Sequence, residues 1–448
     1  MHPLKTLISI LDENMVTIEN IKKWGIVGAG GAGFPSHVKF DAKAEIVIMN
    51  GAECEPLLHK DKELLRLYPN ECIEGLKIIM DLVGAKRGII GIKGKYKDVV
   101  DITRKHLLEN MEISELGNYY PAGDELSLVY DTTSRVVAPG NIPLTVGCIV
   151  SNVETMLNVA RKKPVTTSFL SVAGDVVKPI SLEVAIGSTL ADCIKLAGGS
   201  KCNDPVMLVG GPMMGRFSDD FSELVTKTTG GLIVLDRSHS LIQKYLRPKV
   251  EYDKIAKASC DQCNFCTELC PRYLLGHPIE PHKNMRNKAF EVTVESLIAG
   301  AEFCCECNLC SFYACPEDLD PKNVSTDLKR MIQKKSKEER LSFKPGDVEH
   351  HPMLDYRKAP IPKLMRKIEI DQFENKAPML DYILMPEFVK IPLSQHIGAP
   401  ADAIVRVGDN VKEGQIIGRP NPSKLGAFIH ASIGGEVVKV DDYIHIKG

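Results

Sequence analysis

Residues 75–94 read GLKIIMDLVGAKRGIIGIKG, and this stretch decides the fold of the front of the chain. It reads as a helix, a turn at Gly84 and a strand rich in isoleucine. Just upstream, EIVIMN (45–50) is a continuous apolar run of the kind a strand buried on both faces requires. Strand, helix and strand in this order call for parallel pairing, so an α/β region with parallel strands is expected. At 448 residues the chain is too long for one core, and three to four domains are expected. Composition is globular, with 44% hydrophobic and 25% charged residues and a mean hydropathy near zero. The net charge of -2 gives no global attraction to nucleic acid or to an anionic membrane. No apolar run approaches the roughly 20 residues a bilayer span needs, so no transmembrane segment is expected. The opening MHPLKTLISILDENMV lacks the features of a signal peptide, and a cytoplasmic location is expected.

In a reducing compartment stable disulfides are unusual, so the 14 cysteines point to metal or redox chemistry. Nine of them crowd into CDQCNFCTELCP (260–271) and CCECNLCSFYACP (304–316). The first has the bacterial ferredoxin spacing, in which three close thiolates take one cluster and the fourth, before proline, takes the other. The second repeats it with one extra residue before its last cysteine. By this crossed rule Cys260, Cys263, Cys266 and Cys315 hold one 4Fe–4S cluster, and Cys304, Cys307, Cys310 and Cys270 the other. Cys305 is left over, since using it in place of Cys304 shortens the first spacing. Structural zinc is the alternative, but zinc sites usually pair two CxxC hairpins and do not repeat CxxCxxC with Cys-Pro. Two adjacent clusters are electron relays, and they need a donor elsewhere in the chain. The apolar pattern of NKAFEVTVESLIAGAEF (287–303) suggests a helical module around them.

GIVGAGGAGFPSHVKF (25–40) is a glycine-rich turn through which backbone N–H groups can approach a phosphate. No clear strand precedes it and no acidic residue stands at the usual ribose position, so it is not an ordinary dinucleotide fingerprint. His37 and His59 have no metal-ligand partners at useful spacing. Cys54 reads as a small buried residue, and Glu53 and Glu55, taken alone, as a solvated loop.

Four motifs change that reading by their order: GAGGAGFPSHVKF, NGAECEPLLHKDKELL, YPAGDELSL and GCIVSNVETMLNV. Together they resemble the flavoprotein subunit of respiratory complex I, and more closely the Rnf complex C subunit and the PduS-type cobalamin reductases. The resemblance covers nearly the whole chain. It implies a Rossmann-like domain binding FMN and NADH, with no residue acting as a general acid or base. The matching cofactor-binding positions are Gly28, Gly30, Phe34 and Lys39, with the lysine as phosphate counter-charge and Phe34 beside the nicotinamide. Asn50, Glu53 and Glu55 follow, then Gly123, Asp124 and Glu125, then Asn152 and Thr155. Ala29 stands where complex I has an arginine, Asp124 where it has glutamate, and Ser151 where it has the first of two asparagines; these departures follow the Rnf/PduS branch.

From about Pro164 short strands and one helix, ending in PVMLVGGPMMGRF, suggest a β-grasp unit similar to the SLBB domain, with Met213 and Met214 as core or interface residues. The charged run LKRMIQKKSKEERLSFKPGD (328–347) reads as a helix end and linker. Beyond it, VRVGDNVKEGQIIG and FIHASIGGEVVKV look like a lipoyl-type barrel-sandwich hybrid without a lipoylation lysine. The expected domains are 1–160 (FMN/NADH, α/β), 161–245 (SLBB β-grasp), 246–340 (helical, ferredoxin-like dicluster) and 341–448 (linker and barrel-sandwich). In the Rnf C subunit the PLSQHIGAPA text precedes the flavin domain, whereas here it follows the clusters, an order that favours the cobalamin-reductase branch. The resemblance then implies NADH as cosubstrate, FMN and two clusters as cofactors, and a corrinoid as electron acceptor. It also implies cobalamin adenosyltransferase and shell proteins of a bacterial microcompartment as neighbours, with LKTLISILDENM (4–15) either an encapsulation helix or the first core helix. A soluble Rnf-like subunit of a membrane complex and an iron–sulfur or zinc docking protein are the alternatives.

Overall fold

The computed structural model describes residues 15–289, 299–336 and 339–448. Residues 4–14 of the N-terminal segment and most of the apolar pattern at 287–303 lie outside them.

The front of the chain is the parallel α/β region that the repeated strand–helix pattern demands. Its strands are β1 (Ile46–Gly51), β2 (Arg87–Lys93), β3 (Met111–Leu116) and, beyond the short β4 (Tyr119–Tyr120), β5 (Cys148–Asn152). They pair in the order β3-β2-β1-β5, all parallel, with Ile48 opposite both Ile89 and Val150. The helix Pro69–Val83 begins on a proline and ends at Gly84 in the left-handed region, the asymmetry expected of a well-defined helix. Its Leu76, Ile79, Met80 and Val83 are buried in one core with β1 and β2. Gly75 is required there, because a side chain would run into the Met156 carbonyl of the neighbouring helix Val153–Ala160.

The second unit contains β6 (Thr167–Gly174), β7 (Ile180–Ala185), β8 (Pro205–Val209), β9 (Arg216–Ser218) and β10 (Gly231–Asp236), with the helix Leu190–Leu196 packed on one face. The stretch read as a linker after residue 340 is not a free tether. Its β11 (Ala359–Pro360) pairs with β4 of the first domain, and β12 (Met379–Leu384) adds a parallel edge strand to β7. Between these returns lies the cysteine-bearing module of short helices, including Lys249–Ser259, Pro271–Leu274 and Pro321–Ile332.

The C-terminal unit stacks β13 (Phe388–Pro392), β19 (Tyr443–Lys447), β18 (Gly435–Val440) and β15 (Asn410–Val411) against β14 (Asp402–Ala403), β16 (Ile416–Arg419) and β17 (Ile429–His430). It docks on the glycine-rich loop, where Ile397 N–H donates to the Gly33 carbonyl at 3.0 Å. Gly33 sits at φ +71° with the His396 backbone close against it, so a side chain there would be strained and would collide. Lys227 of the second unit joins the contact by donating to the carbonyls of Gly25 at 2.7 Å and Phe428 at 2.8 Å. One buried core runs from the first sheet through Phe169 and Ile186 into Val389, Ile391, Ile444 and Ile446.

Candidate functional site

The glycine-rich loop is a closed turn with an open tip. Gly28 N–H donates to Phe34 O at 2.9 Å and Gly33 N–H to Gly28 O at 3.1 Å, while Gly30, Gly31 and Ala32 are exposed. Ala29 N–H donates to the buried Thr155 hydroxyl at 3.0 Å, and Gly30 lies against the Asn152 side chain. A methyl group on Gly31 would meet nothing within 4 Å among the described residues. The loop backbone thus faces free space beside Asn152 and Thr155, which start the helix after β5. Lys39, on the short helix after the loop, pairs with Glu125 at 2.8 Å.

Glu53 follows β1 at φ +36°, an uncommon conformation for a residue with a side chain and a form of strain that clusters at ligand sites. Its Oε1 accepts from Asp61 N at 3.0 Å, while its buried Oε2 has no protein partner among the described residues. Burial, reinforced by the Asp61 charge, raises the carboxyl to about 7. Lys93, also buried, donates to the Glu53 carbonyl at 2.8 Å, and burial lowers its ammonium to about 8. Asn50 Nδ2 donates to Gly123 O at 2.9 Å and so joins the second and third motifs.

Two of the expected residues point elsewhere. Glu55 accepts from the backbone N–H groups of Met213 at 2.9 Å and Met214 at 3.0 Å, tying the first domain to the β8–β9 turn. Burial raises this carboxyl to about 7 as well. Asp124 caps the helix Glu125–Thr133 and accepts both arms of Arg272, at 2.7 and 2.8 Å. Met213 is fully buried and Met214 exposed.

Sequence reading missed a charged ring beneath the loop. Buried Lys60 contacts Asp61 at 2.7 Å and Glu154 at 3.0 Å, and Asp61 accepts from Asn152 at 2.8 Å. Burial opposes the Lys60 charge, yet Asp61 and Glu154 together hold its ammonium above the ordinary value. The signal was present in HKDKELL, but nothing local shows that these side chains turn inward. Tyr120 and Arg272 were missed as well. Tyr120 is 1% exposed, and its hydroxyl donates to the Cys307 carbonyl at 2.8 Å. Arg272 stands two residues after Cys270, so its fork on Asp124 joins the third motif to a cysteine motif.

The thiols fall into two neighbouring groups. Cys266 lies in the field of Cys315, Cys260 and Cys263, and Cys310 in that of Cys304, Cys270 and Cys266. Cys307 faces Cys305, Cys310 and Cys270. The groups are neighbours, because the helix Phe265–Glu268 packs against the turn Cys310–Ala314. Among the described residues no three His, Cys, Asp or Glu converge tightly enough for a single metal ion. Burial pushes Cys266 to about 12 and raises Cys270 and Cys310, so holding thiolates there calls for the positive charge of bound iron. Donors already point at sulfur: Gln262 Nε2 at 3.1 Å from Cys260 Sγ, Glu306 N at 3.4 Å from Cys304 Sγ, and Leu319 N at 3.4 Å from Cys315 Sγ. Cys305, hydrogen-bonded to Cys307 and near Arg272, is held below the usual thiol value.

An open phosphate-type loop, an unpartnered carboxylate oxygen and a dense thiol pair define the class: a flavin and dicluster iron–sulfur oxidoreductase. Family profiles agree domain by domain. The Nuo51 FMN-binding domain matches residues 21–161, the SLBB domain 169–217, the 4Fe-4S dicluster domain 259–320 and the RnfC barrel sandwich hybrid domain 370–448. The cobalamin reductase PduS of Salmonella typhimurium is 39% identical over 429 residues, which is 95% of this chain and 94% of that protein. That of Citrobacter freundii is 36% identical over 447 residues, 99% and 98% of the two chains. A component of the Na+-translocating ferredoxin:NAD+ oxidoreductase complex of Acetobacterium woodii is 34% identical over 264 residues, but across only 56% of each chain. The chain belongs to the PduS cobalamin reductase family. The near end-to-end match carries the C-terminal barrel with it, in keeping with the domain order seen in the sequence.

Proposed function

We propose that this protein oxidises NAD(P)H at a flavin and passes electrons singly, through two 4Fe–4S clusters, to a corrinoid. The observation that carries the reading is the fork of Arg272 on Asp124. It ties the flavin motif to the cysteine motif, so that a two-electron site and a one-electron site share one buried junction. Bound FMN supplies the chemistry that takes a hydride and releases electrons one at a time. The chain does the rest. The exposed backbone of Gly30 and Gly31 at the loop tip and the charge of Lys39 hold phosphate. Asn152 and Thr155 fix the loop from below, and Phe34 flanks the nicotinamide. Glu53, propped by Asp61 and Lys93, offers its free Oε2 to a donor of the ring system. Asn50, Gly123 and Glu125 line the same cleft, whereas Glu55 and Asp124 act by holding the neighbouring domains in place. Cys260, Cys263, Cys266 and Cys315 ligate one cluster, and Cys304, Cys307, Cys310 and Cys270 the other.

No helix among the described residues is long and apolar enough to cross a membrane. The finer placement, beside a cobalamin adenosyltransferase and inside a bacterial microcompartment, rests on the family relationship; co-purification with shell proteins tests it. The activity is tested anaerobically with protein reconstituted with iron, sulfide and FMN, given NADH and cob(III)alamin. Formation of Co(II) or Co(I) that is lost in flavin-free protein supports the reading. Flavin and clusters that bleach while cobalamin stays oxidised would replace the corrinoid with another acceptor, as in the Rnf-like alternative.

A further inference from the structure

We infer a direction of electron flow: the second cysteine motif is the entry site facing the flavin, and the first is the exit site facing the acceptor. This rests on the reading of the chain as a flavin and dicluster reductase. Two contacts tie the second motif to the flavin side, and a third ties the segment of Cys270, the crossed fourth ligand of its site. Tyr120, three residues before Gly123, donates to the Cys307 carbonyl at 2.8 Å. Asn308 donates to the Met213 carbonyl at 2.6 Å, on the turn that Glu55 grips. Arg272, beside Cys270, forks onto Asp124.

Core packing divides the motifs in the same way. Cys307, Leu309 and Phe312 share a core with Leu57, Leu58 and Tyr120 of the first domain and Met213 and Ile233 of the second. Cys260 and Cys315 belong to a separate core of Met285, Leu319, Val324, Leu328 and Ile332, in which, among the described residues, none of the flavin domain takes part.

Exposure supplies the exit. Cys263 is exposed, as are Asp261 and Asn264, and Phe265 is 47% exposed. The corresponding Cys307, Asn308 and Leu309 are buried. The helix Phe265–Glu268, which carries Cys266, packs against the turn Cys310–Ala314, so the two sites lie side by side. NADH gives up a hydride and leaves as NAD+, with one proton released to solvent. The two electrons cross the second-motif site and then the first-motif site in turn. Outside Cys263 the corrinoid is the oxidant and takes each electron singly, Co(III) to Co(II) and Co(II) to Co(I). Asp124 and Arg272 act as positioning residues for the entry site.

The test compares reconstituted holoprotein carrying Cys263→Ala or Cys307→Ala, each reduced with NADH and separately with dithionite, by electron paramagnetic resonance with iron content measured alongside. In Cys263→Ala the remaining cluster is expected to take electrons from NADH as fully as from dithionite. In Cys307→Ala the remaining cluster responds to dithionite and loses its response to NADH. Because Cys307→Ala disturbs a shared core, Asp124→Asn serves as a second variant that keeps every cysteine. It is expected to slow NADH reduction of both clusters and leave the dithionite signals unchanged. The order is overturned if Cys263→Ala abolishes NADH reduction of the other cluster, or if Asp124→Asn reduces both at the wild-type rate. A wild-type flavin that NADH does not bleach sinks the reductase reading itself, and this inference with it.

Discussion

Residues 260–266 and 304–310 trace one turn twice. Gln262 and Glu306 stand at φ +56° and +59°, and Asn264 and Asn308 at +69° and +62°. The spacing of three cysteines around one cluster dictates that backbone in both places. What surrounds it differs. The first copy leaves Cys263 and Phe265 in solvent, and the second inserts Cys307 and Leu309 into a core shared by two other domains. Local chemistry thus sets the site, and domain packing sets its place in the path.

The largest asymmetry expected concerns the cysteines themselves. Cys307→Ala and Cys263→Ala should each lose about half the iron, since each removes one ligand of one 4Fe–4S cluster. Only Cys307→Ala should also loosen the junction of the first and second domains, seen as a lower melting temperature and faster proteolysis between residues 160 and 250. Equal destabilisation by the two would erase the comparison. Next comes Arg272→Ala, which strands the Asp124 carboxylate in a junction where it is 13% exposed. A loss on the order of 3 kcal/mol is expected from urea unfolding, because one partner of a buried pair is left uncompensated.

Glu55 grips the turn that also receives Asn308, and its stability contribution depends on pH. Its folded value, about 7, lies above its ordinary 4.5. The contribution is therefore fully present below pH 4.5 and lost as pH rises through 7. Across that window the loss is at most about 3 kcal/mol. Urea midpoints from pH 5 to pH 8 should fall in the wild type, and the Glu55→Gln profile should be flatter; parallel profiles would remove Glu55 from the junction. Tyr120→Phe should cost about 1 kcal/mol, the worth of one hydrogen bond to a buried carbonyl. At the other copy, Phe265→Ala should change stability by no more than about 0.5 kcal/mol, as for surface substitutions generally. A larger loss would mean that the exit edge is covered.

Much of this was legible in the sequence where the signal is local. The apolar run 45–50 and the helix–strand text 75–94 became β1, the helix Pro69–Val83 and β2. The cysteine spacing announces two clusters by itself. Contacts made over long sequence separation were not legible. Nothing in MLDYIL announces that β12 will join β7 nearly 200 residues upstream, because the partner strand, not the segment, determines that pairing. Similarly, the text around Glu55 and Asp124 matches a flavin motif, while the structure hands both carboxylates to other domains. Arg272 carried no signal of its own, since an arginine after Cys-Pro reads as surface until its carboxylate is placed beside it.

The most direct test of the account is a single turnover with Cys263→Ala holoprotein, NADH and cob(III)alamin under anaerobic conditions. If the two motifs are entry and exit, the flavin and the second-motif cluster become reduced as in the wild type, and the cobalamin spectrum does not change. Reduction of cobalamin at the wild-type rate would contradict that assignment and place the acceptor at the buried motif or at the flavin.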